Sequence, residues 1–256
     1  MLKEIVIFGQ KISCYALFIC LGFLVAIIVL LIEIRKKNSS KERWNNFFCI
    51  LPILIIGGFF GAIFFDKIAH FKEIGLFELA GMSFAGGAIT ALILFLILYP
   101  LCVSKNKIIM HEDLNLLVCP FIIAHSLGRI GCFMGGCCYG IPTNSIFGVT
   151  FPEGSLQNIQ YGYVTKVLPT QLFESAFLFV LFLFLLFFKK LHDYKIEVYL
   201  IAYGVFRFLI EFIRGDNRGT NILFLSPSQW ASIFFIIIGI VFLIYIKKKI
   251  KSRRTI

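Results

Sequence analysis

HSLGRIGCFMGGCCYG, residues His125 to Gly140, closes an apolar run with one arginine, five glycines and three cysteines. A charged side chain at membrane depth costs roughly 2.5–3.5 kcal/mol on insertion scales. Arg129 therefore marks a functional site unless it caps a helix or snorkels to the interface. The rest of the chain says that the run does lie in lipid. Of 256 residues, 59% are hydrophobic and only 15% charged, against about 25% charged in a soluble domain. Mean hydropathy is +0.90. Lipid cannot satisfy free backbone groups, and the apolar runs have the length of spanning helices. The fold expected is all-α, a polytopic membrane protein.

Working outward from that stretch, apolar windows predict seven transmembrane helices. They run over Ile12–Ile34, Asn45–Phe65, Leu76–Pro100, Leu114–Phe133, Gln171–Phe188, Ile196–Arg214 and Gln229–Ile246. Orientation follows from the basic residues of the connections. Arg35, Lys36, Lys37, Lys41, Arg43, Lys105, Lys107, Lys189, Lys190, Lys195 and six in the tail fall on one side. Lys3, Lys11, Lys67, Lys72, Lys166, Arg214 and Arg218 fall on the other, sixteen against seven. The richer side is read as cytoplasmic, which puts the N-terminus outside and the C-terminus inside. The net charge of +11 sits at helix ends, so it argues for a membrane surface and not for nucleic acid. The basic tail reads as an anchor to anionic headgroups. No small-residue cleavage site follows the first apolar run, which reads as a retained span and not a signal peptide. The expectation is a single integral membrane domain over 1–256. Residues 137–169 form an extracytoplasmic loop between helices four and five, with a short hairpin around Ser145–Phe151.

Four constellations carry chemistry. Arg129, with Gly128, Gly131, Gly135, Gly136 and Gly140, offers a forked donor pair and closely approachable backbone, which suits phosphate oxygens. A glycine-rich helix crossing would explain the glycines but not the arginine. In YGVFRFLIEF, Tyr203 to Phe212, Arg207 and Glu211 stand four apart on one helical face. They form either a self-neutralising ion pair or a phosphate ligand with its orienting or proton-handling carboxylate. In LPTQLFES, Leu168 to Ser175, Gln171 and Glu174 open helix five near the outer interface, as caps or as site residues. In SFAGGAIT, Ser83 to Thr90, Gly86 and Gly87 permit close approach. Tyr15 adds a polar tip to the first span.

Five cysteines, Cys14, Cys20, Cys49, Cys102 and Cys119, read as small hydrophobes. Cys132, Cys137 and Cys138 stand apart. With His125 they could form a zinc site, but adjacent cysteines rarely ligate one tetrahedral ion. A disulfide at an oxidising outer face is the other reading.

At these stretches the sequence resembles the prolipoprotein diacylglyceryl transferases, from Tyr15 to Glu211 and in matching order. The strongest parts are GRIGCFMGGCCYG, PTQLFES and YGVFRFLIEF. The resemblance implies a seven-helix enzyme of the bacterial cytoplasmic (plasma) membrane. Such an enzyme moves diacylglyceryl from phosphatidylglycerol to the lipobox cysteine of a prolipoprotein and releases glycerol phosphate. It places Arg129 at the family's phosphate-binding arginine, Arg207 and Glu211 at its helix-six pair, and Tyr15 at a first-span tyrosine. His125, one turn before Arg129, is the candidate base beside Glu211. Gly86, Gly87, Gly128, Gly131, Gln171 and Glu174 are candidate substrate contacts. The lipid carries its own leaving group, so no metal or organic cofactor is expected. This chain departs from the family at two places. Ala85 replaces a histidine before the paired glycines. Cys132, Gly135 and Cys137 replace Asn, Asn and Glu. These departures leave the base and the acceptor open. The alternative is a relative that acts on another acceptor or only binds phospholipid.

Overall fold

The computed structural model describes residues 4–7, 10–35, 41–69, 84–216 and 223–254. Ser83, Arg218 and the first part of the predicted third helix lie outside them. Each predicted helix has its counterpart. These are α1 (Cys14–Arg35), α2 (Lys41–Ala69), α3 (Phe84–Cys102), α4 (Lys107–Gly135), α6 (Thr170–Phe187), α7 (Lys195–Ile210) and α8 (Pro227–Arg254). Five of them, α1, α2, α4, α6 and α8, are long and apolar enough to cross a membrane. The described apolar stretch of α3 and the whole of α7 are shorter. Side chains such as Leu24, Ile56, Phe64 and Val180 are exposed, as helices facing lipid require.

The structure differs from the sequence reading in three places. An antiparallel hairpin, β1 (Glu4–Ile7) and β2 (Gln10–Ser13), precedes α1. Around Ser145–Phe151, where a short hairpin is expected, the strand pairs with a more distant partner than a short hairpin would give. There β3 (Val149–Thr150) pairs with β4 (Lys166–Val167), and α5 (Leu156–Tyr161) lies between them. Phe151, Val167 and Tyr139 supply a small buried core that Ser145–Phe151 could not build alone. Finally, α7 stops at Ile210. The chain tightens to a 3-10 turn over Glu211–Ile213 and extends at Arg214.

The chain divides into two compact units. In residues 35–114, α2 and α3 pack through small residues. A Cβ on Gly87 would stand 2.9 Å from the Gly58 carbonyl oxygen, and one on Gly86 would run into Phe65. The space beside both glycines is thus filled by α2, and close helix approach is what they provide. Asp113 is fully buried there, taking Arg43 and the Tyr99 hydroxyl.

The other unit holds residues 1–34 and 115–256. Ser126 and Ser175 lock α4 to α6 by reciprocal bonds, each hydroxyl donating to the other's carbonyl at 2.9 Å. Lys195 and Glu33 pair at 2.6 Å. The segment after α4 is threaded between two others. Gly140 N–H donates to Leu168 O, and Ile141 N–H to Ile213 O. A side chain at Gly140 would meet the Ile213 carbonyl at 2.7 Å, so glycine alone lets these three strands of backbone close over the site.

Candidate active site

Glu174 is the hub of the site. It sits in the second turn of α6, fully buried. Its Oε1 lies 3.0 Å from Arg129 Nη2 and accepts the Tyr203 hydroxyl at 2.8 Å. His125 Nε2 stands 3.8 Å from the same oxygen, and its ring packs edge-on against Tyr203 at 5.1 Å. The charges of Arg129, Arg207 and Arg214 all act on this carboxylate. A carboxylate in a dry site needs such partners, since leaving it unpaired costs several kcal/mol.

A second carboxylate lies beside it. Arg207 Nη1 pairs with Glu211 Oε2 at 2.7 Å, and Arg207 Nη2 donates to Ser228 Oγ at 3.0 Å. The 3-10 turn keeps Glu211 four residues from Arg207 on the same face, which preserves the pair past the end of α7. Ser226 donates to Glu211 Oε1 at 2.7 Å. Ser226 is also the cap of α8. Its hydroxyl takes the Gln229 N–H, and Gln229 Oε1 takes its N–H, the reciprocal capping box of a Ser-x-x-Gln start.

Arg129 Nε and Arg214 Nη1 are buried without a hydrogen bond among the described residues. Beside Arg129, a Cβ at Gly128 would meet nothing within 4 Å. Gly131 instead packs on the Tyr15 carbonyl, and the Tyr15 ring lies over Gly131 and Gly135. Gln171 Nε2 donates to Cys137 O at 2.6 Å. Arg129, Arg207, His125, Gln171, Glu174 and Glu211 thus share one buried neighbourhood of the unit. Gly86 and Gly87 belong to the α2–α3 packing described above. The three sulfurs of Cys132, Cys137 and Cys138 gather within 4.8 Å of one another, and Cys132 and Cys138 lie near enough to act on Arg129; His125 is not among that group.

At the rim, Arg214 grips Asp216 through two bonds of 2.9 and 2.8 Å. Burial lifts the Asp216 carboxyl to about 6, with Arg214 pulling the other way. Hydrogen bonds from the thiols of Cys132 and Cys137, together with Arg214, hold Cys138 well below the usual thiol range. Between about 4 and about 6, folded Asp216 keeps a proton that the unfolded chain has lost. Stability therefore falls as pH rises through that window. The thermal midpoint in detergent is expected to gain more between pH 7 and pH 5 in the parent than in Asp216→Asn. Equal gains in both would refute this.

The family profile described as prolipoprotein diacylglyceryl transferase matches residues 4–245. The chain belongs to that family. The phosphatidylglycerol–prolipoprotein diacylglyceryl transferase of Clostridium tetani is 37% identical over 251 residues, which cover 91% of this chain and 93% of its own. Transferase 2 of Clostridium perfringens is 34% identical over 262 residues, 97% and 95% of the two chains. That of Finegoldia magna is 30% identical over 252 residues, 95% of each. In this member of the family, reading the sequence undervalued Glu174 and gave no role to Tyr203, Ser226 or Ser228. The Ser-x-x-Gln box before α8 was a legible sign that Ser226 is fixed in place. Nothing local marks Glu174 as the partner of an arginine 45 positions away.

Proposed function

We propose that the protein transfers the diacylglyceryl group of phosphatidylglycerol to the lipobox cysteine thiol of a prolipoprotein, releasing glycerol phosphate. It does so in the bacterial plasma membrane. In this reading the seven helices all span, the N-terminus is outside, and residues 137–169 face outward, where the lipid enters from the outer leaflet. The whole chain then works as one membrane domain.

The observation that carries the reading is the set of three buried arginines that act on Glu174, of which Arg129 and Arg214 keep a guanidinium nitrogen without a hydrogen bond among the described residues. The lipid phosphate displaces Glu174 from Arg129 and is held on its other side by Arg207. As the thiol sulfur attacks the glyceryl carbon, a C–S bond forms and the C–O bond to phosphate breaks. The phosphate gains a charge on leaving, and donors already fixed in a dry site stabilise that charge selectively. Tyr15, Gly128, Gly131 and Gln171 flank the headgroup. Gly86 and Gly87 we assign to helix packing.

The thiol must lose its proton to attack well. Glu211 already receives Arg207 and Ser226, which leaves it a poor base. His125 beside Glu174 takes that proton. His125→Ala is expected to slow transfer about 100-fold or more at neutral pH, and less at alkaline pH, where the thiol ionises unaided. Equal losses at both would exclude it. The reading as a whole is tested by incubating the purified protein with phosphatidylglycerol and a lipobox peptide. Mass spectrometry should then find the diacylglyceryl thioether together with free glycerol phosphate.

A further inference from the structure

The Sγ atoms of Cys132, Cys137 and Cys138 all lie within 4.8 Å of one another. Thiolates on a tetrahedral zinc, each about 2.3 Å from the metal, sit roughly 3.8 Å apart. Disulfide sulfurs sit about 2.05 Å apart. All three are free cysteines, and their gathering is compatible with the first arrangement. It also answers the objection raised by the sequence, that adjacent cysteines rarely ligate one tetrahedral ion, since both sulfurs here lie near that of Cys132. Cys138 has φ +65°, a left-handed conformation that costs a side-chain-bearing residue about 1–2 kcal/mol. That conformation is held from α6. Thr170 donates to Cys138 O at 2.7 Å and Gln171 to Cys137 O at 2.6 Å. The backbone is thus pinned in a costly form that turns two adjacent thiols toward Cys132.

We propose that Cys132, Cys137 and Cys138 hold one zinc(II) ion whose open fourth position takes the acceptor thiol of the prolipoprotein. The proposal rests on the transferase reading and names how that reaction handles its sulfur. Three protein ligands with one open position are the catalytic form of a zinc site. The three cysteines are only half-buried, so a fourth sulfur can reach the ion. A coordinated thiol is deprotonated outright. The acceptor S–H gives a Zn–S bond, and its proton passes through water to His125. The sulfur then attacks the glyceryl carbon. The C–S bond forms, and the C–O bond breaks with its electron pair leaving on glycerol phosphate. Zinc returns to its three thiolates without change of oxidation state. Cys132 lies one turn beyond Arg129 on α4, so the sulfur and phosphate positions adjoin. The negative charge of three thiolates on zinc is offset by Arg129 and Arg214, both of which act on Cys138. The expectation that no metal takes part is revised accordingly.

The test uses the full chain in detergent, reduced, stripped with a chelator and titrated with zinc(II) or cobalt(II). One metal per chain is expected, with a near-ultraviolet thiolate-to-cobalt band. Cys132→Ser and Cys138→Ser should each weaken binding at least 10-fold. A lipobox peptide should alter the cobalt spectrum, and the same peptide with serine for cysteine should not. Absence of stoichiometric binding would overturn the proposal. So would a spectrum blind to the peptide thiol, or a disulfide among these cysteines when alkylated in membranes without reductant. Metal-free protein that transfers at the full rate would remove zinc and leave the transferase standing. Metal-loaded protein that makes no thioether would remove the transferase reading itself.

Discussion

Arg129→Ala is expected to lower transfer from phosphatidylglycerol about 100- to 1,000-fold, the scale on which a preorganised donor to a developing anion acts. Two effects combine in that loss. The first is chemical: the departing phosphate loses a guanidinium whose buried Nε–H has no hydrogen bond among the described residues. The second is structural. Glu174 would remain fully buried with Tyr203 as its remaining close hydrogen-bond partner, and breaking a buried pair costs about 3–5 kcal/mol. The two are separable. Arg129→Ala combined with Glu174→Gln removes the charge together with its partner. It is expected to recover most of the thermal midpoint and none of the transfer. Arg129→Lys keeps a charge but not the planar fork, and should also fail to restore the rate. Parental turnover in Arg129→Ala, with phosphatidylglycerol and a lipobox peptide, would end the assignment.

How much of this could be read in the sequence follows from the range of each signal. Apolar length is a local property. The five helices long and apolar enough to span were therefore legible, and α3 and α7 were legible as helices. The i, i+4 spacing of Arg207 and Glu211 also survived, because the 3-10 turn continues right-handed backbone through Glu211. What failed was pairing at a distance. Val149 finds its strand partner at Val167 across α5, and no alternation in Ser145–Phe151 could announce that. Gly86 and Gly87 looked the same as Gly128 in sequence. Only the facing helix distinguishes glycines packed on Gly58 and Phe65 from one with open space beside it. The gathering of the three cysteine sulfurs was illegible for a related reason. The left-handed φ of Cys138 is held by contacts from α6, which no spacing in the sequence announces.

Glu174→Ala should have the largest effect on stability. It leaves Arg129, which is 8% exposed, without the carboxylate 3.0 Å away. It also strips the Tyr203 hydroxyl of its acceptor. A loss of about 3–5 kcal/mol follows from uncovering a buried charge. At 2–4 °C per kcal/mol for a chain of this size, the thermal midpoint should drop by roughly 10 °C. Glu174→Gln keeps an oxygen for Tyr203 and should lose less. The same variant reports on the ligand. If Arg129 exchanges Glu174 for a lipid phosphate, a phosphate supplied from outside replaces what the mutation removed. Phosphatidylglycerol should then raise the midpoint of Glu174→Ala by more than it raises that of the parent, whose own carboxylate competes. Diacylglycerol, which has the same chains and no phosphate, should raise neither. An equal rise in parent and variant would mean that the lipid does not meet Arg129, because ligand stabilisation grows only with differential affinity for the folded state.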